Sequence, residues 1–263
     1  MAHLWIIYGF LNWFVNTENK RLIMQIVLKH ATAEDVWNQI IGTHTEYHQG
    51  LKYFGYGYSM FVPNDPRLHE MFEIEHLTDE QTKHYHDIVV NEIYNINDLN
   101  KFDDMILNQV IPMVSRGVEK LKPMLKSWGA TLPDELEIMC HYGRGGAYWY
   151  SEPNSNDPNR IVFRCTNFHG NHIGMAQLFM HELIHILIEL PIIKKYHVPQ
   201  DLKERIVDII GFEFFGKPVQ PPYENSFANA YITLDAIKTG LPGAVARMMN
   251  DYNARQQKQV LER

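Results

Sequence analysis

Leu178-Phe179-Met180-His181-Glu182-Leu183-Ile184-His185-Ile186-Leu187-Ile188 is the stretch on which the reading of this chain turns. It is apolar nearly all round, so a helix formed here belongs in a core. His181 and His185 are four residues apart, which stacks them on one helical face. Such a pair can hold one metal ion through two imidazole nitrogens. Glu182 is rotated from His181 by about 100°. It can therefore miss the metal and still reach a water held there, as a zinc hydrolase requires of its general base. Burying three polar side chains costs about 1–3 kcal/mol for each one left unsatisfied. A metal and its water would satisfy all three; two imidazoles hydrogen-bonded within a core are the simpler alternative.

A catalytic zinc takes three protein ligands and keeps one position open. The metzincin pattern would need Gly at position 188 and His at 191. The chain has Ile188 and Pro191, so that pattern is excluded. Glu204 follows on the next predicted helix, with Asp208 one turn later on the same face. In this reading Glu204 completes the ligand set. Asp208 accepts the remaining N–H of a ligand His, His181 by preference, and fixes its tautomer. Competing roles stay open. Asp201-Leu202-Lys203-Glu204 fits a capping box, in which Glu204 would only reach back to the helix start. Asp201 or Asp208 could also serve as third ligand.

His181-Glu182-x-x-His185 followed by Glu204-Arg205-Ile206-Val207-Asp208-Ile209-Ile210-Gly211 resembles the gluzincin metallopeptidases, over about residues 136–216. Glu-x-x-x-Asp-Ile-x-Gly is similar to the glutamate helix of thermolysin-like enzymes. The separation of His185 from Glu204 matches the aminopeptidase-N-like branch. The resemblance implies an α+β, zincin-like fold: helix-rich, with a long backing helix and a small, twisted, mostly antiparallel sheet packed against the active-site helix. It implies one Zn²⁺ per chain and a peptide or protein substrate. It also implies that backbone on an edge strand, here Ile161, Val162 and Phe163, pairs with that substrate by β-augmentation. The aminopeptidase motif Gly-x-Met-Glu-Asn is missing; Gly145-Gly146-Ala147-Tyr148-Trp149 stands there instead. An endopeptidase is therefore favoured over an aminopeptidase. Tyr223, Tyr231 and His197 are the candidates for stabilising an oxyanion. A zincin fold that binds a peptide or protein partner without cleaving it is the second reading, since fold alone does not fix function.

The rest of the sequence bounds these expectations. The 263 residues carry a net charge of −7, which argues against a phosphate-coating nucleic-acid binder. No run reaches the roughly 18 consecutive apolar residues of a membrane span. The apolar start, Leu4 to Val15, lacks a basic leader, so the default compartment is cytoplasmic. Residues 1–95 read as an N-terminal α/β region of unassigned role, and 96–263 as the metallopeptidase domain. Helix starts are expected at Thr32 and Thr78, one long helix at 98–127 that Pro112 should kink or split, and strands at 22–28, 136–142, 147–150 and 160–166. Further helices are expected at 173–190, 201–215, 226–238 and 243–261. Cys140 and Cys165 fall on neighbouring strands and are expected to be reduced. His44 and His48, another four-residue pair, read as a solvated face among polar neighbours. His84 with His86, and His169 with His172, are weaker candidates still. The aromatic run Tyr53 to Phe61 reads as core.

Overall fold

A computed structural model of the chain describes residues 5–7, 10–14, 24–50, 58, 62–142, 146–149, 159–164, 172–216 and 226–261. In chain order they form β1 (Trp5–Ile7), β2 (Phe10–Phe14), β3 (Gln25–His30), α1 (Ala33–His48), α2 (Pro66–Phe72), α3 (Asp79–Ile88), α4 (Ile96–Met105), α5 (Ile111–Trp128), β4 (Glu135–His141), β5 (Gly146–Trp149), β6 (Asn159–Arg164), α6 (His172–Ile188), α7 (Gln200–Phe215), α8 (Leu234–Thr239) and α9 (Leu241–Leu261). The class is α+β, helix-rich with a small sheet.

Contacts divide the chain into two compact units, each assembled from two stretches. The first comprises Met1–Val110 and Glu135–His172; the second comprises Ile111–Asp134 and Ile173–Arg263. The division does not follow the expected boundary at 95/96. The apolar repeat over 98–127 reads as one helix and hides the change of unit at 110/111.

Local chemistry explains where the helices begin. Thr32 caps α1 and Asp35 reaches back to the Thr32 backbone, a complete capping box. Thr78 and Gln81 do the same for α3. Each cap is worth about 1 kcal/mol. Two prolines shape the helices that carry them, Pro112 as expected and Pro191 not. The predicted 98–127 helix is interrupted by a π turn at Ile106–Val110, just before Pro112. Pro191 does not end its helix; the chain widens into a π turn, Glu189–Lys194, that contains it. A proline ring clashes with the carbonyl four residues back, and a wider turn relieves that clash. The region predicted as a single 226–238 helix is a 3₁₀ turn at Phe227–Ala230 followed by α8.

In the first unit the sheet order is β1-β2-β3-β4-β6-β5. It is mixed, which corrects the expectation of a mostly antiparallel sheet. The central ladders β3/β4 and β4/β6 run parallel, and antiparallel pairs flank them. Helices α1 to α5 lie between β3 and β4 in the chain, and a helical crossover returns the chain in the same direction. β6 is hydrogen-bonded on both sides, so Ile161, Val162 and Phe163 do not form an edge, and their expected pairing with substrate lacks the free backbone it needs.

The parallel register sorts side chains by face. Ile26, Leu28, Leu136, Ile138, Cys140 and Ile161 share one face and are buried. α4 packs on β3 and β4. The opposite face carries Glu137, fully buried and clamped by Lys29 of β3 and Arg160 of β6.

The second unit is helical. Trp128, at the end of α5, is buried and donates its indole N–H to the Ile237 carbonyl at 2.7 Å. α5 meets α6 and α7 at Gly117. A Cβ there would stand 2.6 Å from Phe215 Cε1 and 2.9 Å from Met180 Sδ, so only glycine permits the approach. Gly117→Ala should lower stability by about 1–3 kcal/mol through overpacking, seen as a lower thermal midpoint. An unchanged midpoint would show that Met180 and Phe215 yield freely. The run Ile173–Lys194 has the length and apolar composition to cross a membrane, but most of its apolar stretch is buried within the protein, as in a core helix.

Candidate metal centre

The site is built from α6 and α7, both in the second unit. α6 is formed by the apolar run around Met180, and its burial carries the polar residues inward. His181 and His185 are 4% and 1% exposed, and Glu182 is 6% exposed. One donor atom from each of these three lies within 4.8 Å of the others. The two imidazoles meet edge to face, with Nε2 atoms 3.1 Å apart.

α7 starts at Gln200, one residue before the predicted start, with Pro199 as its cap position and no side-chain cap. Glu204 is therefore not engaged in the capping box that the sequence allowed. One of its oxygens accepts a hydrogen bond from the Gln200 side-chain amide at 2.6 Å. The other, Oε2, lies 3.5 Å from His181 Nε2 and 3.3 Å from His185 Nε2. Burial opposes ionisation of Glu204, but the hydrogen bonds from His181 and His185 outweigh it and hold the carboxyl well below the usual carboxylate range. Asp208, fully buried one turn on, presents Oδ1 to His181 Nδ1 at 3.5 Å. A proton on Nδ1, directed at Asp208, would free the Nε2 lone pair for a metal shared with His185 and Glu204.

The three inward atoms form a triangle with edges of 3.1, 3.3 and 3.5 Å. Zinc bound tetrahedrally at about 2.0–2.1 Å from nitrogen and oxygen sets its ligand atoms about 3.3 Å apart. The donor set thus fits zinc in kind and in spacing. Two imidazole nitrogens and a carboxylate oxygen this close repel one another unless a proton or a cation stands among them.

A buried ion pair that the sequence reading missed sets the phase of α7. Glu189, in the π turn after α6, meets Lys203 at 2.9 Å, with both side chains 9% exposed. This ties the end of the histidine helix to the first turn of α7, and the next residue is Glu204. The available signal was the lone Glu189 inside an apolar run, since buried charges come in pairs; Lys203 gave none, standing beside Asp201, Glu204 and Arg205. Arg205 donates to the Asn229 side chain at 2.6 Å and fixes the same helix to the 3₁₀ turn.

Other predicted residues fall elsewhere. Tyr231 donates its hydroxyl to Asp251 at 2.5 Å, and that bond raises its pKa, so as placed it serves the carboxylate rather than an oxyanion. His197 is exposed in a turn with φ 52°. Tyr223, Cys165 and His169 lie outside the described residues, as does all of Tyr53 to Phe61 except Tyr58, which stacks on Phe72. His172 opens α6. His44 is not on a solvated face: it is buried and bonds the Ile74 carbonyl through Nε2 at 2.7 Å, and burial lowers its pKa. His86 meets Glu34 at 3.0 Å near the surface, and His84 is exposed. Searches for similar proteins found no matching family model, no matching curated protein and no matching solved structure.

Proposed function

We propose that the chain is a zinc-dependent peptidase of the zincin type, with zinc held by His181, His185 and Glu204. The observation that carries this reading is the triangle of Nε2, Nε2 and Oε2 atoms, whose edges average the separation zinc imposes on its ligands. Bound zinc supplies Lewis-acid activation of water and of a carbonyl at neutral pH. The residues of the chain do the rest. Asp208 orients His181, and the Glu189–Lys203 pair holds α7 so that Glu204 faces both imidazoles. Glu182, on the same helix but off the ligand face, takes the proton of the attacking water and delivers it to the leaving amine. The peptide bond breaks to a carboxylate and an amine. The substrate is a peptide or protein, and the absent amino-terminal anchor favours cleavage within a chain.

The second reading, a zinc-holding module that binds a partner without hydrolysis, draws on the depth of the site, where neither histidine is more than 4% exposed. Incubating the zinc-loaded protein with a quenched fluorescent peptide library separates the two. The peptidase reading expects cleavage that a chelator abolishes and added zinc restores. Intact peptides in the presence of bound zinc would overturn it in favour of the binding module. Asp208→Asn should weaken zinc binding about 10–100-fold, the usual cost of losing a ligand's orienting partner. Competition with a chromogenic chelator measures this; unchanged affinity would remove Asp208 from the site.

A further inference from the structure

We propose a second cation site in the first unit, formed by His30, Asp103 and Cys140 and suited to a thiophilic divalent ion such as zinc. These residues come from three elements, β3, α4 and β4, and offer one nitrogen, one carboxylate oxygen and one sulfur within 4.8 Å of one another. The parallel register explains how two of them meet. His30 is the partner of Cys140 across β3 and β4, so their side chains leave the sheet on the same face. α4 covers that face and brings Asp103 to His30 Nε2 at 2.8 Å.

The donor chemistry is the second argument. Thiolate, imidazole and carboxylate together select a borderline-soft ion such as zinc over magnesium or calcium, which prefer oxygen alone. The surroundings suit an ion that enters from one side. Cys140 is fully buried, whereas His30 and Asp103 are 20% and 22% exposed. The His30–Asp103 bond is shorter than the about 3.3 Å that a tetrahedral zinc imposes on nitrogen and oxygen ligands. Binding therefore replaces that bond with two bonds to the ion: the proton shared by His30 Nε2 and Asp103 moves to Nδ1 or leaves to solvent, and the groups open by about half an ångström. The Cys140 thiol proton leaves to solvent as the sulfur becomes a ligand. Such an ion would tie β3, β4 and α4 together at one point of the sheet.

Cobalt(II) titration of the full-length protein tests this, because a thiolate ligand to cobalt gives an intense near-ultraviolet charge-transfer band. His181, His185 and Glu204 contribute no sulfur, so the band reports the first unit alone and is independent of peptide cleavage. The expected result is a band whose intensity corresponds to one thiolate-bound cobalt per chain, whatever His181, His185 and Glu204 also bind, and which is lost in Cys140→Ser. His30→Ala, at a partly exposed position, should abolish or shift the band even if Cys140→Ser fails to fold. Absence of the band in the wild-type protein would overturn the proposal. So would its survival in folded Cys140→Ser, or an unshifted band with unchanged affinity in His30→Ala.

Discussion

Glu182→Gln is expected to lower peptide hydrolysis by about 10²–10⁴-fold while leaving zinc at His181, His185 and Glu204, the range a positioned general base contributes. The substitution is nearly isosteric in a site where Glu182 is 6% exposed, so packing around it should not change. What changes is chemistry: an amide has no basic oxygen to take the proton of the attacking water, and it carries no charge. Glu182 shares a cluster with both histidines but sits about 100° around α6 from their common face. Zinc content should therefore be unaltered. Measuring kcat/KM beside zinc stoichiometry keeps the two effects apart. Undiminished activity would remove Glu182 as the base, and loss of zinc would make it a ligand.

The largest expected effect on stability lies in the other unit. Glu137→Ala should cost about 3–5 kcal/mol, because it leaves two cations facing one another across β4 with no anion between them. Glu137 is fully buried, while Lys29 is 39% and Arg160 25% exposed at the side chain. Both cations can turn toward water, so the lower end of that range is expected. Lys29→Ala should cost less than Glu137→Ala, since the carboxylate keeps Arg160. Amide hydrogen exchange along β4 is the suitable measurement, because it reads opening of this sheet whether or not the two units unfold together. Protection in Glu137→Ala equal to that of the wild type would show that the clamp adds nothing to the sheet.

Features set by neighbours in sequence were legible before any coordinates. The capping boxes at Thr32 and Thr78 need only residues three apart, and both form. The pairing of His181 with His185 follows from helical spacing; the approach of Glu204 and Asp208 was suggested by the likeness to gluzincins and depends on how α7 packs on α6. Features set by distant pairings were not. Nothing local tells β3 to pair in parallel with β4 across five intervening helices, and the edge role expected of Ile161, Val162 and Phe163 failed because β6 has β4 on one side and β5 on the other. The polar neighbours of His44 suggested solvent, but its environment is decided by the Ile74 carbonyl, 30 residues away. Asp201-x-x-Glu204 is a valid capping pattern that the structure does not use, because the helix begins one residue earlier. The proline at 191 was read as a stop because α-helices exclude it, and a π turn does not share that restriction.

The interleaving of the two units bears on how the protein is made. A ribosome releases α5 before any of its helical partners from Ile173 onward exist, then threads out the three strands that finish the sheet. Until α6 and α7 arrive, the Gly117 notch and the apolar side of α5 stand open to solvent or to any nascent neighbour. Synthesis therefore passes through an interval in which one finished unit carries an orphaned, sticky helix, the kind of surface that holdase chaperones shield.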